Sequence, residues 1–460
     1  MKHIGRRAFL IGAAGLSLVG ILKPQLVADW VSKQPEAVQE EQEEQVEPAV
    51  APEPKPVDCD YILTNGTIVD GMSNKAFQGN VAIKGQEIAA IGDFTWTPRA
   101  KVIDATGLLV TPGFIDLHTH TENYHRQNGQ AEMILMQGVT THIGGNCGTS
   151  VSSIEEHLSG IEATGVNVGL FVGYKVLRNK FVGEGKTTNA QLEAMQERLA
   201  QGLREGAFGL SVGLQYWPQH YATTEEMIAL CQVLKDVGGF YSTHIRNEEN
   251  QVLPSVEEAI EIGLAAGVPV QYCHIKTAQK ANWGKMPKVL ELIEGAAESG
   301  LDITGDVYGY TFSSLDLDSD RESINEDDLR LALGHPLVMV ASDCWLDKNG
   351  KSAHPRTYGN YSRILRRYVR EEKLLTWETA VKKMAAMPAR RLGLHDRGIL
   401  APGMKADIAV FDGNSITDCS TRSQPNILSQ GMQYVFVNGQ LAVKEGEPTG
   451  TLAGQVLRRV

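Results

Sequence analysis

The chain has 460 residues, 42% hydrophobic and 21% charged, with 47 glycines, which is the make-up of an ordinary α/β protein and excludes a fibrous or wholly disordered chain. Its formal charge of −12 and the lack of any basic patch exclude the electrostatics by which nucleic-acid binders neutralise phosphates, so no nucleic-acid partner is expected. Six cysteines scattered from Cys59 to Cys419 are too sparse for a disulfide scaffold.

In chain order, residues 1–32 read as an address. Lys2, Arg6 and Arg7 precede an uncharged run of 14 residues from Phe9 to Leu22, shorter than the ~20 residues of a membrane span. Gly5-Arg6-Arg7-Ala8-Phe9-Leu10 resembles a twin-arginine export signal. No clear cleavage motif follows, so the segment is expected to export the protein, with the option of serving as an uncleaved membrane anchor. Residues 33–57 follow as a linker: six glutamates between Glu36 and Glu47 with no lysine or arginine, then Pro48, Pro52, Pro54 and Pro56, a solvated, self-repelling and stiff composition.

From 58 to 112 the text turns to short β-like runs, among them Tyr61-Ile62-Leu63, Gly66-Thr67-Ile68-Val69 and Val81-Ala82-Ile83, broken by turn pairs such as Asn65-Gly66. Residues 399–460 repeat this character in Asp407-Ile408-Ala409-Val410-Phe411 and Tyr434-Val435-Phe436-Val437. The two ends are expected to join in one small β-sandwich domain. Between them, at 113–398, eight apolar strand-like runs alternate with helix-length segments. They end near His118, Cys147, Gly173, Leu214, His244, His274, Tyr310 and Asp343. Eight such units predict an α/β chain with a (β/α)8 TIM-like barrel, and no glycine-rich dinucleotide loop follows the first strand to favour an open sheet instead.

The chemistry-bearing residues sit at the ends of these runs, where barrel active sites lie. His118 and His120 are separated by one residue, so the period of two puts both imidazoles on one face. Cys147, in Gly144-Gly145-Asn146-Cys147-Gly148, follows a strand among small neighbours that let a thiolate approach a soft metal. His244 and His274 end neighbouring runs 30 residues apart, one βα unit, and come side by side in a barrel. Lys276 and Arg246 follow these histidines by two residues and are candidates to hold a substrate carboxylate. Asp343 ends the eighth run, where a carboxylate ligates a metal or shuttles a proton from water to a leaving amine. Arg356, in His354-Pro355-Arg356, brings a guanidinium fork suited to a carboxylate.

These residues resemble the amidohydrolase superfamily, and within it the D-aminoacylase (N-acyl-D-amino-acid deacylase) branch. The likeness is carried by Phe114-Ile115-Asp116-Leu117-His118-Thr119-His120, Gly145-Asn146-Cys147-Gly148, Thr243-His244-Ile245-Arg246-Asn247-Glu248 and His274-Ile275-Lys276. Asp306-Val307-Tyr308-Gly309-Tyr310, Ser342-Asp343, His354-Pro355-Arg356-Thr357-Tyr358-Gly359 and Gly403-Met404-Lys405-Ala406-Asp407 extend it to the chain's end. The resemblance implies a zinc site of one or two ions. Cys147 takes a bridging place and pairs with His244 and His274 at one position, His118 and His120 form the second, and Asp343 is the acid/base. It places Lys276, Tyr216, Tyr308 and Arg356 around the substrate carboxylate. The implied reaction is hydrolysis of the amide of an N-acyl-D-amino acid.

Between Tyr310 and Leu337 the chain is much shorter than in such relatives, with acidic text from Asp316 to Asp320 in place of an inserted lid, so a more open pocket is expected. Two other readings stand beside the deacylase: a related dipeptidase or cyclic-amide hydrolase, and a degenerate exported binding protein. The expected partner is a small N-acyl amino acid or a short peptide substrate.

Overall fold

A computed structural model describes residues 55–314 and 322–459. The expected leader, the linker up to residue 54 and the acidic text from Asp316 to Asp320 lie outside the described residues. Among the described residues no helix is long and apolar enough to cross a membrane.

Five strands open the described chain: β1 (Tyr61–Ile68), β2 (Phe77–Lys84), β3 (Glu87–Gly92), β4 (Lys101–Asp104) and β5 (Leu109–Pro112). Four close it: β17 (Ile408–Phe411), β18 (Met432–Val437), β19 (Gln440–Lys444) and β20 (Glu447–Pro448). They form one nine-stranded sheet in the order β20-β19-β18-β17-β5-β1-β2-β3, with β4 on β1. The seam between the two chain ends is the antiparallel pairing of β5 with β17, Thr111 facing Ala409. A bulge between Leu63 and Gly66 shifts the alternation of β1 by one residue, and so sends both Leu63 and Ile68 into one apolar layer with Val81, Ile83, Val110, Ile408 and Phe436.

The barrel strands are β6 (Phe114–Asp116), β8 (Val139–Gly144), β9 (Asn167–Leu170) with its continuation β10 (Val172–Gly173), β11 (Gly209–Gly213), β12 (Phe240–His244), β13 (Val270–Tyr272), β14 (Ile303–Val307) and β15 (Val338–Val340). Every neighbouring pair is parallel. Phe171 joins β9 to β10, its N–H donating to Gly144 O at 3.0 Å. The eighth strand returns to the first at the rim. Asp343 N donates to His118 O at 3.0 Å, Ser342 N to Asp116 Oδ1 at 3.1 Å, and β16 (Cys344–Trp345) runs parallel to β7 (Thr119–His120). The ring is thereby closed by the residues that carry the site.

Beneath the rim, Ile115, Leu117, Ile143, Phe171, Phe208, Phe240 and Met339 pack into one buried cluster, so the barrel is a filled core rather than a pore. Phe171 and Phe240 meet edge to face at 5.2 Å. Outer helices bury one stripe each. The helix Asn189–Arg204 is started by a Thr188–Gln191 capping box and buries Met195, Leu199 and Leu203. The helix Thr224–Val237 is capped by Thr223 and stopped by Gly238 in the left-handed conformation.

The tail also reaches the barrel. Leu457 N donates to Val168 O of β9 at 2.7 Å. Buried Asp407 accepts from Arg397 at 2.6 Å, from Asn438 N at 2.7 Å and from Asn167 of β9 at 3.0 Å. The Gly403–Asp407 motif is therefore a tie between sheet and barrel.

Candidate metal centre

The strand ends and the turns that follow them bring all six expected centre residues into one chain of direct contacts, in the order His120, Asp343, His118, Cys147, His274, His244. His118 Nε2 lies 3.3 Å from Cys147 Sγ, and Cys147 Sγ lies 3.5 Å from His274 Nε2. His244 Nδ1 is 2.9 Å from His274 Nε2. On the other side, Asp343 Oδ1 is 3.2 Å from His120 Nε2 and 3.5 Å from His118 Nε2. Cys147 thus sits between His118 and His274, with His244 on the far side of His274. The fully buried group His118–Cys147–His274 and the group His118–His120–Asp343, in which His120 is half-buried, each have ligand atoms within 4.8 Å of one another.

Three of these residues have strained backbones: φ is 51° at Cys147, 33° at His274 and 51° at Asp343. Such conformations persist only where surroundings hold them, and they cluster at functional sites. The Cys147 turn shows how. Gln219 donates from Nε2 to Cys147 O at 3.0 Å and accepts Gly213 N at 2.8 Å. A Cβ at Gly148, itself at φ 77°, would fall 1.9 Å from Gln219 Oε1, so only glycine lets that clamp close on the thiol's loop.

A layer of carboxylates stands behind the ligand atoms. Asp306 of β14 accepts from His274 N and Gln271 Nε2, both at 2.8 Å, and its Oδ1 faces His118 Nδ1 at 3.4 Å. Glu248 Oε1 lies 3.0 Å from His274 Nδ1, and its other oxygen accepts Lys276 Nζ at 3.1 Å. Cys273 adds a second buried thiol, 3.2 Å from Ser242 Oγ. Glu248, Asp306 and Cys273 had no assigned role in the sequence reading, although the first two fall inside its motifs.

The charges follow from this packing. Burial would raise the Asp343 carboxyl, but the Arg356 guanidinium and His120 beside it hold it well below the usual carboxylate range. Burial works against Glu248 too, and His244, Lys276 and His274 overcome it and keep it ionised. Burial drives His244 down to about 3, a neutral imidazole able to donate its lone pair. It also pushes the Cys147 thiol up, so a cation among these donors is what would draw off its proton.

A cavity of about 290 Å³ opens over the centre, lined among others by His120, Cys147, Tyr216, His274, Lys276, Asp343 and Arg356. Arg356 Nη2 donates to Asp343 at 2.9 Å and to Ser314 Oγ at 3.0 Å, while its Nε and Nη1, both buried, have no partner. Tyr216 OH is 3.3 Å from His244 Nδ1. Tyr308 lies behind the wall, its ring 4.8 Å beneath the Arg356 guanidinium and 5.7 Å from Lys276 Nζ. Arg246, grouped with Lys276 as a candidate, points elsewhere: it forms two bonds to Glu258 and one to His220 O. Strand β12 ends at His244, so the period of two no longer governs Arg246.

With this geometry in place, the family assignment is direct. The model of the amidohydrolase family matches residues 109–442. The chain belongs to the amidohydrolase family. This amidohydrolase is 32% identical to an N-acyl-D-aspartate deacylase of Alcaligenes xylosoxydans xylosoxydans, over 87% of this chain and 95% of that protein. A crystal structure of D-aminoacylase superposes with a TM-score of 0.81 at 30% identity, covering 87% of this chain and 100% of that one. An N-acyl-D-glutamate deacylase from Bordetella bronchiseptica, complexed with zinc and a phosphonate mimic of the tetrahedral intermediate, superposes with a TM-score of 0.80 at 29% identity, covering 88% and 100%.

The donors fit such a metal. Zn–S of about 2.3 Å and Zn–N of about 2.0–2.1 Å at a tetrahedral angle put sulfur and nitrogen roughly 3.6 Å apart. Cys147 Sγ stands 3.3 Å from His118 Nε2 and 3.5 Å from His274 Nε2, so a sulfur–nitrogen pair of about this span exists on either side of the thiol. Soft sulfur with imidazole nitrogen is the donor chemistry zinc takes.

Proposed function

We propose that this amidohydrolase hydrolyses the amide bond of N-acyl-D-amino acids with zinc, one or two ions per chain, releasing a D-amino acid and a carboxylate. The observation that carries the reading is a single cavity. It is lined by His120, Cys147, His274 and Asp343, beside a buried guanidinium with two unengaged N–H groups. The guanidinium that would take the substrate's acid end lies 2.9 Å from the Asp343 carboxylate of the donor cluster. The names of the relatives support the D-configuration.

In this reading Cys147, His244 and His274 would hold the tighter ion, and His118 and His120 the second. When bound, zinc supplies Lewis acidity for the carbonyl and lowers the pKa of water toward 7. Asp343, kept ionised at the rim, takes the proton of the attacking water and returns it to the leaving nitrogen. Arg356, with Lys276 and Tyr216 on the same wall, receives the substrate carboxylate, and Tyr308 supports the guanidinium from below. Metal analysis of the purified protein, with turnover of a panel of N-acetyl-D- and L-amino acids, tests the assignment. One or two zinc ions per chain and hydrolysis confined to D-substrates are expected; a metal-free protein whose Cys147→Ala variant behaves like wild type would overturn it.

We also propose export through the segment at 1–32, supported by Arg6-Arg7 before an uncharged run of 14 residues. Cell fractionation of the full chain and of an Arg6→Lys, Arg7→Lys variant tests this, with the variant expected to stay inside.

A further inference from the structure

A second cavity, of about 690 Å³, adjoins the first. The two share three lining residues, His120, Thr149 and Trp345, so they lie side by side, with His120 of the metal centre on the wall between them. The second is more than twice the volume of the first, within the range that buries a ligand of drug size. Its position relative to the reacting bond is set by a row of contacts. Arg356 Nη2 is 2.9 Å from Asp343 Oδ2, and Asp343 Oδ1 is 3.2 Å from His120 Nε2. The guanidinium, the acid/base and the His120 edge thus stand in that order. A substrate with its carboxylate on Arg356 and its amide at Asp343 sends its acyl group past His120 and Thr149 into the second cavity.

The lining of that cavity defines the acyl group it suits. Asn123, Gln127 and Lys348 supply carboxamide and ammonium groups, against the apolar Val151, Leu346 and Trp345, whereas Glu122 accepts from Gly145 N, Ser150 donates to Phe171 O and Asp347 accepts from Asn349 N and Lys351 N. Asn123, Gln127 and Lys348 are exposed at its wall. Carboxamides and an ammonium reward an occupant with its own donors and acceptors and give nothing to a hydrocarbon chain. An extended peptide advances ~3.3–3.6 Å per residue, so a cavity of this size takes a short run of amides beyond the scissile one.

We propose that the acyl group this enzyme is shaped for is peptide-like: a short polar oligoamide carrying a D-amino acid at its carboxyl end. The inference rests on the deacylase reading above and extends it to the acyl side. Water is added across the C–N bond; its oxygen and one proton go to the acyl carbon, which leaves as a peptidyl carboxylic acid, and the other proton goes to the nitrogen of the released D-amino acid.

The test compares three substrates of the zinc-loaded full chain, each built on the D-amino acid preferred in the N-acetyl panel: the N-acetyl, N-acetyl-triglycyl and N-octanoyl forms. The triglycyl form is expected to show a kcat/KM about tenfold or more above the acetyl form, with the octanoyl form no better than acetyl. Val151→Trp, which fills the second cavity, is expected to cancel the triglycyl advantage while acetyl turnover persists and reports a folded enzyme. Asn123→Trp, from another stretch of the wall, is expected to do the same. Turnover of the acetyl form with no triglycyl advantage, or an octanoyl advantage instead, overturns the peptide-like acyl group and leaves the deacylase reading standing. No turnover of any form overturns both.

Discussion

Asp343 shares its carboxylate between Arg356 and the imidazoles: Oδ2 lies 2.9 Å from the guanidinium, and Oδ1 lies 3.2 Å from His120 and 3.5 Å from His118. The residue is thus both fixed in place and kept ionised, which a proton carrier at neutral pH requires. Asp343→Asn keeps the shape and removes the proton affinity. We expect kcat to fall on the order of 10²–10⁴-fold, the usual contribution of a general acid–base, with zinc content at the wild-type level. Steady-state kinetics alongside metal analysis checks this; loss of zinc in step with activity would make Asp343 a ligand first.

Arg356 has a second task. Its unpaired Nε and Nη1 suit two oxygens of a carboxylate, a fork that lysine cannot reproduce. Charge-assisted bonds contribute about 1.5–3 kcal/mol, so Arg356→Lys should raise KM roughly 10- to 100-fold for N-acetyl-D-amino acids. The corresponding N-acetyl-D-amino acid amides, which lack the carboxylate, should be nearly insensitive to the change.

His118 and His120 were legible in the sequence because the period of two puts them on one face, and Cys147 and Asp343 because each falls a few residues past a strand-like run, in eight runs that imply a barrel; their left-handed turns were not. Glu248 was not, although it lies four residues after His244. The chain there is an irregular loop between β12 and the helix Val252–Ala266, and no periodicity says which way its side chain turns. Arg246 was misplaced for the same reason. Lys276 kept its place because His274 adopts a left-handed turn and Lys276 Nζ comes back to 3.1 Å from His274 Nδ1; nothing in the residue order announces that turn. The contact of Cys147 with His118 depends on the same kind of backbone detail.

Asp306 faces the outer nitrogen of His118 and fixes the backbone of His274. Carboxylates in this position orient the ring and raise its basicity, and their loss typically weakens metal binding 10–100-fold. Asp306→Asn should therefore bind zinc about that much more weakly, while kcat recovers at saturating zinc. Competition of the metal-free variant with a chromophoric chelator measures the affinity; unchanged affinity would mean that Asp306 only supports the fold.

Away from the centre, His125 Nε2 lies 3.3 Å from His142 Nδ1, and His125 Nδ1 lies 3.4 Å from Thr164 Oγ1. Burial, aided by nearby His157, lowers His125 to about 3, and burial likewise places His142 well below the ordinary range. A histidine kept neutral in the fold but free to charge at about 6.5 when unfolded makes the unfolded state the better proton binder. The stability that His125 contributes is therefore complete above about pH 6.5 and drains as the pH falls from there toward about 3. At pH 5 the loss from His125 alone is roughly 2 kcal/mol. Urea unfolding at pH 8, 6.5 and 5 should show the midpoint falling mainly between pH 6.5 and 5, and His125→Gln, which has no proton to take up, should flatten that fall while costing some stability at pH 8. An equally steep slope in the variant would assign the acid sensitivity to other buried groups.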